Sequence, residues 1–241
     1  MKTFRLPKLI IILLISNVIA GQSHPNKEQC GKILMDYLQS MEKTWKLSDP
    51  NKASYMKYSI VTKYNPHLEL SSNKTLTEVA KKSDRFYIKS EDMLISGDKE
   101  MVLVVIPRDH RIYWNSADPK IFESGNNYLR LLEVQRKILE SAKEVRCTTV
   151  ENRLRISIIP NEEMTKTTNL IKQEVVYDFI KKAVIKVNNH YNQKSEILVQ
   201  EVVYNEVDLD SPVKVNSPRE MVFSNDKLRE KYKGFQIIDN R

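Results

Sequence analysis

Residues 101–106, Met-Val-Leu-Val-Val-Ile, are apolar at both parities of an extended strand. A segment of this kind belongs inside a sheet with other elements covering each face. What precedes it sets the direction of pairing. Met93-Leu94-Ile95-Ser96 runs into Gly97-Asp98, a hairpin signal in which the first turn position is expected at positive φ. Pro107 to His110 makes the next turn, and Arg111-Ile112-Tyr113-Trp114 completes a three-stranded antiparallel meander. Arg85-Phe86-Tyr87-Ile88-Lys89 reads as a further strand ahead of it.

The same period of two recurs on both sides of this centre. Tyr58, Ile60, Thr62 and Tyr64 alternate with Ser59, Val61 and Lys63, and Leu154, Ile156 and Ile158 alternate with Arg153, Arg155 and Ser157. Strands are also predicted over 145–150, over 197–204 and at 235–238, with a hairpin across 175–191 turning near Lys181-Lys182. Two segments depart to a period near 3.6. Cys30, Ile33, Leu34, Tyr37, Leu38, Met41 and Trp45 lay one apolar stripe along a helix over 26–46, which Ser48-Asp49-Pro50-Asn51 breaks. Between Pro119 and Val145, Tyr128, Leu131, Leu132, Val134, Ile138 and Leu139 group on one side of a second helix. The stretch holding Pro212 and Pro218 reads as a loop crossing an open sheet edge. The fold class expected is α+β, one antiparallel sheet with two main helices.

The first twenty residues have the form of a secretory leader: Lys2, Arg5 and Lys8, an apolar run from Leu9 to Ile15, then Val18-Ile19-Ala20 before Gly21. Residues 1–20 are therefore read as a signal peptide and 21–241 as one exported domain, periplasmic or otherwise secreted, with no transmembrane segment in the mature chain. The net charge of +8, less the three positive charges of the leader, leaves +5 with both signs interspersed. That distribution describes a solvated surface and gives no nucleic-acid arm. Two cysteines remain, Cys30 and Cys147. In an oxidising compartment they either bridge, clipping the first helix to a central strand, or fill two separate buried positions.

Catalytic chemistry is thin. His24, His67, His110 and His190 match no metal-ligand spacing and read as surface residues. Ser96-Gly97 and Ser124-Gly125 lack the flanking glycine of a nucleophile elbow, no phosphate-binding loop is present, and neither cysteine has a C-x-x-C partner. Glu162-Glu163 and Asp208-Leu209-Asp210 read as solvated carboxylates. No enzyme, metal or cofactor is expected. The basic and aromatic cluster Arg229, Lys231, Tyr232, Lys233 and Phe235 either steers an acidic partner or lipid head group or, as the favoured reading, packs Tyr232 and Phe235 with the charges as a solvated rim.

The passage Arg85-Phe86-Tyr87-Ile88, Ile95-Ser96-Gly97-Asp98-Lys99, 101–106 and Ile112-Tyr113-Trp114, behind an N-terminal amphipathic helix, resembles the LolA/LolB-like periplasmic lipoprotein-carrier family. The resemblance covers roughly residues 26–206, by pattern and not by identity. It implies a curved antiparallel sheet forming an incomplete barrel, helices across its open side, and an apolar concavity for acyl chains or a hydrophobic peptide. On that reading Phe86, Ile88, Leu103, Val105, Ile112 and Trp114 line the wall and Leu34, Tyr37, Leu38 and Met41 the lid. The same residues can equally fill one another's space as an ordinary core. The expected function is non-enzymatic: carriage or chaperoning of a lipid, a lipoprotein or another amphipathic envelope molecule, with peripheral membrane contact possible. The alternative is an interaction or assembly factor of an envelope complex that pairs through a sheet edge.

Overall fold

A computed structural model describes residues 27–46, 52–117 and 127–241. The leader, His24, the breaker at 48–51, Ser124-Gly125 and the start of the second predicted helix lie outside these residues. One twelve-stranded sheet dominates, in the order β14-β6-β5-β4-β3-β2-β1-β11-β10-β9-β8-β7. It is curved and does not close into a barrel. All its pairings are antiparallel except the last, where β14 (Gln236–Asp239) runs parallel to β6 (Arg111–Ser116).

The first half of the chain supplies β1 (Ala53–Tyr64), β2 (Asn73–Lys82), β3 (Arg85–Lys89), β4 (Leu94–Gly97), β5 (Met101–Ile106) and β6. The second half supplies β7 (Ala142–Val150), β8 (Arg153–Pro160), β9 (Leu170–Asp178), β10 (Ala183–Tyr191) and the long β11 (Ile197–Ser211), which returns to pair with β1. Two main helices, α1 (Lys27–Lys46) and α2 (Asn127–Glu140), pack on each other and on β7 and β8. Between β8 and β9 a short helix α3 (Glu162–Thr168) starts at Asn161, whose side chain accepts the Met164 amide at 2.8 Å. Glu162 and Glu163 are its first turn and not a loop, which suits their charge to the helix N-terminus.

The hydrophobic interior divides into two cores on opposite faces of the sheet. Residues paired in register share a face, so the faces can be followed across all the strands. On the first face, Leu34, Leu38 and Met41 of α1 and Leu132, Ile138 and Leu139 of α2 bury against Val145, Leu154, Ile156, Ile158, Val175 and Val187. On the second, Tyr55, Tyr87, Leu94, Leu103, Val105, Ile112 and Trp114 are sealed by Val215, Val222 and Tyr232. The segment around Pro212 and Pro218 therefore crosses a sheet face and not an open edge. It carries α4 (Pro218–Val222), held by a reciprocal capping box between Ser217 and Glu220, and the small hairpin β12 (Phe223–Ser224) and β13 (Lys227–Leu228).

Two turn details differ from expectation. Gly97 is the last residue of β4, outside the positive-φ region. A Cβ there would meet the Phe86 ring at 2.5 and 2.7 Å, so glycine is required by the aromatic lying over it and not by the turn. Asp98 shapes the turn instead, its Oδ1 accepting the Glu100 and Met101 amides at 3.0 and 3.1 Å.

Candidate functional site

The ten residues expected to enclose one cavity occupy three places. Leu34, Leu38 and Met41 are buried in the core beneath α1, with Tyr37 half-buried against it. Leu103, Val105, Ile112 and Trp114 belong to the other core, on the far side of the sheet. Phe86 and Ile88 point to the same face as the helices, since Ile88 is in register with Val79, Val79 with Met56, and Met56 with Val207 of the first core. Among the described residues, the apolar stripe of α1 packs against sheet residues. A depression of about 800 Å³, open to solvent, lies beside it, lined by Glu28, Gly31, Lys32, Met35, Asp36, Leu139, Glu140 and Val145.

What the register reveals is a row that alternation within single strands does not display. Met56, Val79, Ile88, Ile95, Val104, Tyr113 and Ile238 pair one with the next across β1, β2, β3, β4, β5, β6 and β14. All seven are apolar or aromatic, all lie on the helix side of the sheet, and all but Met56 are half-buried. Among the described residues, the core built by α1 and α2 takes no member from β1–β6. The first face is thus covered by helices over β7–β11 and continues as an aliphatic stripe over β1–β6. At about 4.8 Å per strand, six steps give the stripe a length of roughly 29 Å. Sequence reasoning found Ile88 but missed the rest, because β5 is apolar at both parities and nothing in its own six residues says which parity faces the helices.

Two pairs of phenols lie on this face. Tyr58 and Tyr204 meet across β1 and β11 with ring centroids 6.1 Å apart, and Tyr37 of α1 meets Tyr177 edge-on at 5.8 Å. Burial pushes the Tyr204 hydroxyl up to about 12, with Tyr58 adding to the shift. Burial likewise raises Tyr37 well above the ordinary phenol range. Both therefore stay neutral and keep a polar tip within an otherwise apolar wall.

Below α2, Gln173, almost wholly buried, is held in a side-chain network. Its amide donates to Gln135 of α2 at 3.0 Å and to Asn189 of β10 at 2.9 Å, and its oxygen accepts from Gln135 at 2.5 Å. The arrangement fixes where α2 sits on the sheet. The two cysteines are joined: Cys30 of α1 and Cys147 of β7 form a disulfide with Cα atoms 6.3 Å apart. Because β7 ends the strand order, the bond clips α1 to an edge strand and not to a central one.

The remaining candidates stay apart. His190 lies 3.4 Å from Glu174, His110 stacks near Phe235 with centroids 5.1 Å apart, and His67 sits in a short 3-10 turn. Among the described residues no three His, Cys, Asp or Glu side chains converge as a metal site would need. Tyr232 is buried, 5.5 Å from Phe235, while Lys231 and Lys233 are exposed. No described helix is long and apolar enough to cross a membrane.

No family model matches the chain, and no curated protein does either. Similar solved structures include an uncharacterised conserved protein of Thermus thermophilus, 7% identical with TM-score 0.42, the match covering 88% of this chain and 99% of that one. They also include a LolA superfamily protein of Nitrosomonas europaea, 8% identical with TM-score 0.28, covering 79% and 98%. A third is the Pseudomonas aeruginosa MucA/MucB complex, 11% identical with TM-score 0.38, covering 75% of this chain and 59% of that one. Members of the LolA superfamily are thus among the structures this chain is similar to. At such identities and scores the likeness says nothing about ligand or partner.

Proposed function

We propose that the protein is a non-enzymatic, extracytoplasmic binding protein that receives the acyl chain of a lipid or lipidated protein along the apolar stripe of β1–β6. The observation that carries this reading is the register row from Met56 to Ile238, apolar at every one of its seven strands. Its roughly 29 Å is about twice the ~15 Å that one leaflet of a bilayer gives an acyl chain, so a chain laid across the strands is accommodated at full length. Each methylene withdrawn from water contributes about 0.8 kcal/mol, which makes catalytic groups unnecessary for useful affinity. The leader-like first twenty residues and the Cys30–Cys147 disulfide both support an oxidising, extracytoplasmic location.

Native mass spectrometry of the protein purified after export tests the reading, paired with a fluorescent fatty-acid titration. Ile95→Ser with Val104→Ser alters two half-buried residues at the middle of the row and is expected to lower acyl affinity about tenfold or more while leaving the circular dichroism unchanged. A folded double variant that binds the probe as the parent does refutes the site. The second reading, an assembly factor for an envelope complex, is favoured by one observation: β7 ends the sheet, and the disulfide anchors that strand to α1. A strand presented in this way can pair with one from a partner, and co-purification of stoichiometric protein without lipid is its signature.

A further inference from the structure

The β7–β8 and β9–β10 hairpins end side by side. Val150 is in register with Arg153, Arg153 with Asp178, and Asp178 with Ala183, which places both tips at one end of four adjacent strands. A backbone bond joins them, the Phe179 N–H donating to the Asn152 carbonyl at 2.9 Å. Three large apolar side chains project from this joint tip: Val150 is 48% exposed, Phe179 40% and Ile180 73%. Ile180 is the most exposed of the large hydrophobic residues described. Hydrophobic residues scattered singly over a surface need no explanation, but Phe179 and Ile180 are consecutive on one turn, and Val150 is exposed at the end of the neighbouring hairpin, on the sheet face opposite the Tyr177 ring that Phe179 meets.

The tip is also hydrogen-bonded within itself and carries more cations than carboxylates. The Asp178 Oδ1 accepts the Ile180 and Lys181 amides at 3.0 and 2.9 Å, so the turn that thrusts Ile180 outward leaves neither of these donors unpaired. That carboxylate is turned inward, its side chain 10% exposed, with Arg153 3.6 Å away and itself 59% exposed. Arg153, Lys181 and Lys182 are exposed on the same two turns, with Glu151 the one exposed carboxylate there. The Phe179 ring leans edge-on against Tyr177 at 5.6 Å, and Tyr177 against Tyr37 of α1 at 5.8 Å, so the tip is braced from the helix-covered core.

We infer that these fused hairpin tips are a membrane-docking site, in which Val150, Phe179 and Ile180 enter the interface of a bilayer while Arg153, Lys181 and Lys182 meet anionic lipid headgroups. Aliphatic and aromatic side chains exposed beside a basic rim are what an anionic interface rewards. A protein partner would instead call for a broader surface with a polar rim. The site is separate from the stripe on β1–β6, so failure of acyl binding and failure of membrane docking are independent results.

Flotation of the exported, purified protein with vesicles tests the inference. It is expected to float with vesicles containing phosphatidylglycerol, to float poorly with phosphatidylcholine alone, and to be released as salt rises. Phe179→Ser with Ile180→Ser is expected to weaken partitioning about tenfold or more, and Lys181→Glu with Lys182→Glu to remove the preference for anionic lipid. All four positions are exposed, so unchanged circular dichroism certifies the fold. The inference is overturned if the parent floats with neither vesicle, if the folded serine variant floats equally well, or if that variant abolishes self-association instead.

Discussion

Replacing both cysteines by alanine removes a cross-link that spans 117 residues of sequence. In the chain-entropy treatment, opening a loop of that length returns about 16 cal/mol/K to the unfolded ensemble, or about 5 kcal/mol at 25 °C. The native state should lose little besides the bond, because Cys30 is wholly buried and alanine leaves no unpaired polar atom in its place. A loss of that size is a third to the whole of the stability of an ordinary domain. With a urea dependence of about 2 kcal/mol/M, the midpoint of Cys30→Ala with Cys147→Ala should fall by roughly 2.5 M, and the dependence itself should steepen as the unfolded chain expands. Equilibrium urea unfolding of the oxidised parent and the double variant, followed by circular dichroism, measures both quantities. A loss below about 1 kcal/mol refutes the reasoning, since it would mean that the unfolded chain is already confined without the bond.

Gly97→Ala drives a methyl group into the Phe86 ring and should cost about 1–3 kcal/mol in thermal or urea unfolding. Most of that loss should return when Phe86→Leu is added, and additive losses in the double-mutant cycle contradict the proposed contact. Leu38→Asp, which on a lid would spare the fold, instead places a charge at a core position 5% exposed; unfolding midpoints should register a loss of at least about 3 kcal/mol. Stability should also respond to alkali. Burial raises the folded-state values of Tyr37 and Tyr204 above the ordinary phenol value of 10.0, so their contribution is complete below about pH 10 and disappears as pH climbs toward about 12. Urea midpoints unchanged from about pH 8 to 9.5 and falling above about 10, with late-ionising phenols in the absorbance titration, are the expected outcome.

Which parts of this architecture were legible follows from where the information lies. The α1 stripe could be read from residues three and four apart, and it appears over Lys27–Lys46 as periodicity predicts. Half-buried strands such as β8 announce themselves by alternation, Leu154, Ile156 and Ile158 inward and Arg153 and Arg155 outward. The short α3 was missed because its seven residues hold too little apolar period, although Asn161 before Glu162-Glu163 is a cap signal that would have found it. Alternation shows β1 only from Tyr58, because Ala53, Ser54, Tyr55 and Met56 are all buried and show no alternation.

The assignment of faces is a different kind of information. Leu103 and Val105 differ from Val102 and Val104 by one step of register and by little in chemistry, yet the first pair lies under the segment bearing α4 and the second shares a face with the helices. That choice is made by pairings as distant in sequence as Ala53 with Ser211, through which β11 returns to β1 and carries the helix-covered face onto the first six strands. A wall inferred from strands and a lid inferred from a helix can therefore each be apolar and still belong to opposite sides of one sheet. The row from Met56 to Ile238 exists only once seven strands are in register, so a guest site built on it is a property of the assembled sheet and of no single segment.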